Sequence, residues 1–349
     1  MTKEEFEQKL KDKKIWWCPL PWTHIFSSLS GRYAPCYDAL AKTGHNMEDT
    51  TIREWYTSDY QNRLREEMLK EDYDGKFFDE HCTGCRKHEK LYGRSDRQKY
   101  VEQVLAGTFD NKVPELLRAV LKFQKEGKID LDERLLDIKM KMFGNACNLD
   151  CYMCHPRSAN TRTISLNKVF KNTGKVFDPD LDPKDGERMN TLKHDDEQYL
   201  DDVASVAKYT KSIKLIGGEP LVMKNHYKLL DKLVQSGYSD GIGLIYKTNL
   251  SVFKMEGYDF RNYFGKFKEF IMKISIDSYG KYNDYIRKKS DWPQLINNMK
   301  VMKARKDCRV NVHSVVSFLS VLHIWKLQEF LKELGIDHTY YIIQFPQIL

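Results

Sequence analysis

The chain has 349 residues, which allows one large domain or two ordinary ones, and its 41% hydrophobic content supplies a core. No run of about eighteen apolar residues exists, and MTKEEFEQKLKDKK at the N-terminus lacks an apolar signal-peptide core, so no membrane partner is expected and the cytoplasm is the expected compartment. The net charge of +7 is concentrated in residues 261–310, where thirteen Lys or Arg face five Asp or Glu; solvated helix faces are the expected cause, and nucleic acid is not an expected partner.

Residues 1–14 form a charged, helical lead-in. Trp16-Trp17-Cys18-Pro19-Leu20-Pro21-Trp22 and the apolar stretch Ile25 to Leu29 then meet Ser30-Gly31-Arg32-Tyr33-Ala34-Pro35-Cys36. Apolar runs either side of a Ser-Gly turn predict a β-hairpin with a cysteine near each end. A helical pattern over 57–71 has Ser58 as its cap and Leu64 and Met68 on one face. His81-Cys82-Thr83-Gly84-Cys85 is a Cys-x2-Cys turn whose glycine allows tight wrapping around a metal. Cys18, Cys36, Cys82 and Cys85 are thus four candidate ligands, and zinc and iron–sulfur are both open for them. Residues 90–130 read as a helical linker: 94–105, then a helix opened by Pro114 and stopped by Gly127, with Val113, Leu116, Leu117, Val120 and Leu121 as its apolar stripe.

From residue 135 strand-like and helix-like segments alternate, the pattern of a parallel α/β fold. Strands are predicted at 135–142, 212–217, 242–248, 270–276, 309–316 and 339–344, with helices at 223–236, 292–306 and 325–334. The stretch 156–195 is polar and turn-rich, with Asp178-Pro179-Asp180 and Asp182-Pro183, and reads as a lid or a disordered loop. Phe345-Pro346-Gln347-Ile348-Leu349 follow the sixth strand without a closing helix; a shortened chain, or closure by the N-terminal module, is expected.

Between the first predicted strand and that loop lies GNACNLDCYMC, Gly144 to Cys154, with cysteines at 147, 151 and 154. Three thiolates on one short loop hold three corners of an iron–sulfur cubane and leave the fourth iron open for catalysis. A zinc knuckle is the competing reading, but zinc sites usually pair two Cys-x2-Cys units. Ligands in parallel α/β folds bind at the C-terminal strand ends, and the polar residues here cluster there. The second strand runs into Gly217-Gly218-Glu219-Pro220, where glycines allow close backbone approach to a ligand and a carboxylate can accept from an ammonium group. The third ends in Lys247-Thr248-Asn249; the fourth carries Ser275 and Asp277 on one face by alternation. Arg287, twelve residues past Ser275, suits a bidentate carboxylate grip or is one more charge in a basic helix. His313 reads as a hydrogen-bonded core residue and Cys308 as a buried, inert thiol.

The cysteine loop, with Asn148-Leu149 inside it, and Gly217-Gly218-Glu219 about sixty residues later resemble the radical S-adenosylmethionine (radical SAM) superfamily. The resemblance implies a partial (β/α)6 TIM-like barrel over 131–349 and a 4Fe–4S cluster on Cys147, Cys151 and Cys154 as the catalytic centre. Its open iron chelates SAM, whose reductive cleavage gives a 5′-deoxyadenosyl radical that abstracts hydrogen from the substrate. Glu219, with Gly217, Gly218 and Pro220, would hold the SAM amino group; Met153, beside Tyr152, would lie against adenine. Thr248 and Asn249 would reach the ribose or the substrate, and Ser275, Asp277 and Arg287 the ribose and the SAM carboxylate. Cys18, Gly31 and Cys36 stand as in the opening pattern of the SPASM/twitch auxiliary module, which implies a second 4Fe–4S cluster in residues 1–90. The module normally follows the barrel, here it precedes it, and it lacks the further cysteines of a two-cluster SPASM domain, so a single twitch-type cluster is the better match. Implied partners are a flavodoxin- or ferredoxin-type electron donor and a peptide or protein side chain as substrate, with a sugar, nucleoside or other small metabolite next. A zinc-dependent nucleic-acid-binding protein is the rival from another class, and a non-catalytic scaffold is argued against by the intact cysteine loop and Gly217-Gly218-Glu219.

Overall fold

The structure is a computed structural model, and it describes residues 2–28, 31–39, 43–132, 134–140, 144–174 and 197–343. It divides into two compact units, one of residues 1–140 with 205–212, the other of 141–204 with 213–349. The stretch 91–130 therefore lies inside the first unit.

In the first unit the lead-in is a helix, Lys3–Lys11, started by a capping box in which Thr2 and Glu5 satisfy each other's backbone N–H. The expected hairpin is present but short: β1 (His24–Ser27) and β2 (Tyr33–Ala34) pair antiparallel, with Gly31 in the left-handed region at φ 73°. A third strand, β3 (Leu136–Met140), pairs parallel to β1. The helix expected over 57–71 is two helices, Ile52–Thr57 and Asp59–Glu67. Ser58 is extended between them, so it ends one helix and caps the next by accepting from Gln61 N–H. Leu64 and Met68 are buried as their spacing predicts. Helices Gly75–His81, Thr83–Tyr92 and Asp96–Leu105 follow, and Val113–Glu126 stops at Gly127 in the left-handed region. Tryptophans fill the core: Trp17 lies 5.5 Å from Trp22, and Trp55 stacks on Tyr33 at 5.5 Å.

β4 (Thr210–Leu215) runs from the first unit into the second. There follow β5 (Gly243–Thr248), a small hairpin of β6 (Lys254–Met255) and β7 (Tyr258–Asp259), then β8 (Glu269–Ser275), β9 (Cys308–Val316) and β10 (Asp337–Ile342). The second unit's sheet has the order β4-β5-β8-β9-β10, and the β5–β8, β8–β9 and β9–β10 pairs are parallel. Helices Lys224–Gln235, Trp292–Lys303 and Ile324–Glu333 connect the strands, so the chain is α/β with a mostly parallel sheet, as the alternation predicts. Leu244, Tyr246, Phe270, Met272, Ile274 and Val312 bury one face completely.

The stretch read as a lid or disordered loop contains a helix, Asn160–Thr173, which ends at Gly174. Its apolar stripe is too thin to show as a period, and it is held at its start by Asn160 N–H donating to the Asn145 carbonyl. The rest of that stretch, with Asp178-Pro179-Asp180 and Asp182-Pro183, lies outside the described residues, as do 141–142 of the first predicted strand and Phe345–Leu349. Among the described residues no helix is long and apolar enough to cross a membrane.

Candidate functional site

The three cysteines of the 147–154 loop come together. Cys147, Cys151 and Cys154 are largely buried, and burial pushes all three thiols up, Cys147 and Cys154 to about 12. Each of the outer two feels the Cys151 sulfur as well. The loop is fixed through its backbone: Cys147 N–H donates to Asn160 Oδ1 at 3.0 Å, Asp150 N–H to the Lys288 carbonyl and Tyr152 N–H to the Ile286 carbonyl. Asp150 accepts from Ser165 at 2.6 Å and lies 3.5 Å from Lys288. The Tyr152 ring packs 5.5 Å from Tyr285; Met153 beside it is half-buried.

The edge beyond β4 is pressed against this loop. A Cβ on Gly218 would stand 2.1 Å from the Ala146 carbonyl oxygen, and one on Gly217 3.2 Å from that of Gly144. Gly218 thus serves contact with the cysteine loop's own backbone, where the sequence suggested room for a ligand. The next residue extends the contact, Glu219 N–H donating to the Ala146 carbonyl at 2.8 Å. Its carboxylate is 1% exposed. It accepts from Thr248 Oγ1 and Asn249 N–H, both at 2.6 Å, and from Leu221 N–H, capping the turn Pro220–Val222. Burial raises its pKa to about 7 against these three neutral donors, with Arg287 a weaker lowering influence. Four acceptor sites and three donors leave room for one more.

Thr248 and Asn249 are buried at the end of β5. Asn249 also donates to Asn148 Oδ1 at 3.0 Å and accepts from Ser251, and its amide nitrogen lies 4.0 Å from the Cys147 sulfur. These two residues hold Glu219 and the cysteine loop together. Ser275 ends β8, half-buried. Asp277, past the strand end, is fully buried and accepts from Val315 N–H at 2.7 Å. Arg287 is no member of an exposed basic helix: it follows the helix Lys281–Ile286 and lies against Asp277 at 2.7 Å, an ion pair whose angle does not make a hydrogen bond. Its Nη1 stands 3.8 Å from the Cys151 sulfur. Burial opposes its charge, yet Asp277 and then the cysteine sulfurs outweigh this and raise its pKa.

The other four cysteines meet within the first unit. Cys18, Cys36, Cys82 and Cys85 line one cavity of about 30 Å³ with Trp16, Tyr37, Met68 and Arg97. Burial raises every one of these thiols, Cys36 to about 12; repulsion from the other cysteines adds to it at Cys18, Cys36 and Cys82, and the Asp38 and Glu89 carboxylates add to it at Cys85. Gly84 does not wrap tightly by a left-handed turn; it lets the Cys-x2-Cys segment pack on Asp38, whose Cβ would lie 2.8 Å from an added methyl. Cys308 opens β9 and its thiol is raised by burial to about 12. Among the described residues no group of three or more His, Cys, Asp or Glu stands as a single-ion site. Sequence reasoning missed Asn160, Asp150, Ser251 and Lys288, which brace the cysteine loop through side chains or backbone; only the asparagine at the start of the unexpected helix left a signal, as a helix-start residue.

Residues 142–338 match the family model described as Radical SAM superfamily. No curated protein matches the chain. Three solved structures of SuiB from Streptococcus suis are similar to it. With S-adenosylmethionine bound, SuiB is 16% identical at a TM-score of 0.39, covering 76% of this chain and 54% of SuiB. With the precursor peptide SuiA the values are 16%, 0.38, 70% and 52%, and for SuiB by itself 15%, 0.39, 83% and 57%. The chain spans about half the length of these structures. The family model takes in the cysteine loop, the Gly217-Gly218-Glu219 edge and β4 to β9, more than half of the sequence, and the chain belongs to the radical SAM superfamily.

Proposed function

We propose that the second unit binds a 4Fe–4S cluster on Cys147, Cys151 and Cys154 and SAM beside it, with residues 131–349 forming a partial (β/α)6 barrel. The observation that carries this is Glu219: a buried carboxylate whose hydrogen-bond partners among the described residues are all neutral, locked by its own backbone to the cysteine loop. A cationic ammonium offsets the burial that raises it. Three thiols brought together, Cys151 buried and the other two half-buried, suit iron in the same way, since iron binding deprotonates them. When bound, the pair supplies reductive SAM cleavage and hydrogen abstraction from the substrate by the 5′-deoxyadenosyl radical.

The chain's own residues do the positioning. Thr248 and Asn249 fix the Glu219 carboxylate, Asn249 reaches back to Asn148 and Cys147, and Asp277 orients Arg287 toward Cys151. We read Gly217, Gly218 and Pro220 as the framework that sets Glu219, Tyr152 and Met153 as the adenine side, and Ser275 with Arg287 as the ribose and carboxylate side of SAM. Residues 1–90 would form the SPASM/twitch-like module, with a second 4Fe–4S cluster on Cys18, Cys36, Cys82 and Cys85 for electron transfer or substrate binding, and 91–130 the helical connection. Four thiols lining one cavity, Cys18 buried and the other three half-buried, support a closed ligand set, with zinc the alternative content. The substrate is a peptide or protein side chain first and a small metabolite second, the electron donor a flavodoxin or ferredoxin type, and the compartment the cytoplasm.

The test is anaerobic reconstitution with iron and sulfide, followed by dithionite and SAM. 5′-Deoxyadenosine is expected from the wild type and none from Cys147→Ala. No product from the wild type, or equal product from both, ends the reading.

A further inference from the structure

Backbone hydrogen bonds hold Arg287 and Cys151 opposite each other. On either side of the cysteine, Tyr152 N–H donates to the Ile286 carbonyl at 3.1 Å and Asp150 N–H to the Lys288 carbonyl at 3.0 Å. Each neighbour of Cys151 is thus bonded to a neighbour of Arg287, and no side chain is needed to keep the two facing. The arginine side chain completes the contact: Nη1 stands 3.8 Å from the Cys151 sulfur, and Nε lies 2.7 Å from Asp277. Asp277 is fully buried and is held at its other oxygen by Val315 N–H at 2.7 Å. The guanidinium therefore sits between a fixed carboxylate and a sulfur, with its side chain only 11% exposed.

Of the charges acting on Cys151, Arg287 is the strongest, ahead of Asp277 and Asp150. It acts on Cys147 and Cys154 in the same direction. A second N–H stands by the trio, Asn249 Nδ2 at 4.0 Å from the Cys147 sulfur, but it is neutral. Lys288 and Lys289, next in the chain, are exposed, so water and salt screen their charge. Since the backbone already braces the loop, a buried cation against one of its sulfurs calls for another explanation.

We propose, resting on the radical SAM reading above, that Arg287 raises the reduction potential of the cluster on Cys147, Cys151 and Cys154, with Asp277 as the positioning residue that aims it and partly offsets it. Iron–sulfur potentials follow net charge, hydrogen bonds to the sulfurs and solvent exposure. Reduction brings one electron from the donor and makes or breaks no bond, so it adds one negative charge to a buried group. A guanidinium beside a ligating sulfur favours that reduced form, and a carboxylate behind the guanidinium opposes it. The two residues thus act with opposite signs at one site. Arg287 has this effect before SAM arrives, which separates it from a grip on the SAM carboxylate.

The experiment is an EPR-monitored redox titration of the reconstituted full chain without SAM, following the signal that Cys147→Ala removes. Arg287→Gln is expected to lower the reduced fraction at a fixed potential roughly tenfold, a downward shift of about 59 mV for one electron. Asp277→Asn keeps an acceptor for Val315 N–H and is expected to shift the potential upward. Lys289→Gln, which removes an exposed charge of the same segment, is expected to change the reduced fraction by less than roughly twofold. Loosened packing would admit water in both buried variants and move them the same way, so opposite signs are a readout that a merely structural role does not give. Should either single variant load no iron, the double variant Arg287→Gln with Asp277→Asn leaves no lone buried charge. It should titrate below the wild type, because Arg287 outweighs Asp277 at the sulfur. Shifts of the same sign, an Arg287→Gln shift no larger than that of Lys289→Gln, or a double variant at the wild-type potential overturns the proposal. A chain that makes 5′-deoxyadenosine while these potentials stay put loses this inference only. One that loads no iron on the three cysteines loses the radical reading as well.

Discussion

Glu219 pulls against the stability of the fold that contains it. Its carboxyl has an ordinary pKa of 4.5 and is raised to about 7 in the folded chain, chiefly by burial. Below pH 4.5 it is protonated whether the chain is folded or not, and contributes nothing. Between 4.5 and about 7 the unfolded chain gives up the proton while the folded one keeps it, so stability falls as pH rises and levels off above 7. At 1.36 kcal/mol per pKa unit the loss is about 3 kcal/mol. Urea unfolding of metal-free protein at pH 5 and pH 8 should show that decline in the wild type and its absence in Glu219→Gln. Equal declines in the two would mean that the carboxyl is not held protonated by burial. A ligand ammonium reverses the preference, so SAM should bind up to about tenfold more tightly per pH unit between 5 and 7, and no tighter beyond.

At the scale of elements, the joint between β4 and the cysteine loop is a backbone contact. An alanine at 218 would put its methyl 2.5 Å from the Asn145 oxygen as well as against Ala146. Neither neighbour is the far end of a flexible side chain, so the strand edge and the loop must part. Gly218→Ala should cost about 3 kcal/mol, the upper end for overpacking, and lower the iron retained after reconstitution, whereas Gly217→Ala, with 3.2 Å of space, should cost clearly less. Thermal unfolding and iron analysis of both variants check this; equal behaviour would show that the joint yields easily. The strands themselves were readable, because alternation and β-branched runs mark them: 242–248 is expected and Gly243–Thr248 found, 309–316 expected and Cys308–Val316 found. The grouping of the cysteines was readable from spacing. What spacing could not carry is partnership across long separations. Arg65 is fully buried with no acidic partner among the described residues, donating to the Pro21 and Tyr56 carbonyls, which the placing of Leu64 and Met68 on one helix face does not reveal. Arg287 likewise was open between two roles until Asp277 and Cys151 were seen beside it.

Over the whole molecule, each cysteine set is complete within one unit. Cys18, Cys36, Cys82 and Cys85 all fall in residues 1–140, and Cys147, Cys151 and Cys154 in residues 141–204. Neither set borrows a thiol from the other, so the two should load independently, and binding energy at each should stabilise its own unit. Replacing Cys147, Cys151 and Cys154 together by alanine should leave about half of the iron, under the reading of two four-iron clusters, and abolish 5′-deoxyadenosine. Replacing Cys18, Cys36, Cys82 and Cys85 should also remove about half, while the second unit's thermal transition and its cluster absorbance persist. If the first set takes zinc, those four substitutions remove zinc and leave the iron unchanged. Loss of all metal from either variant would mean that one site must form before the other, which no ligand arrangement within a single unit predicts. Metal analysis of the two variants beside the wild type, with absorbance near 400 nm as the second readout, separates these outcomes.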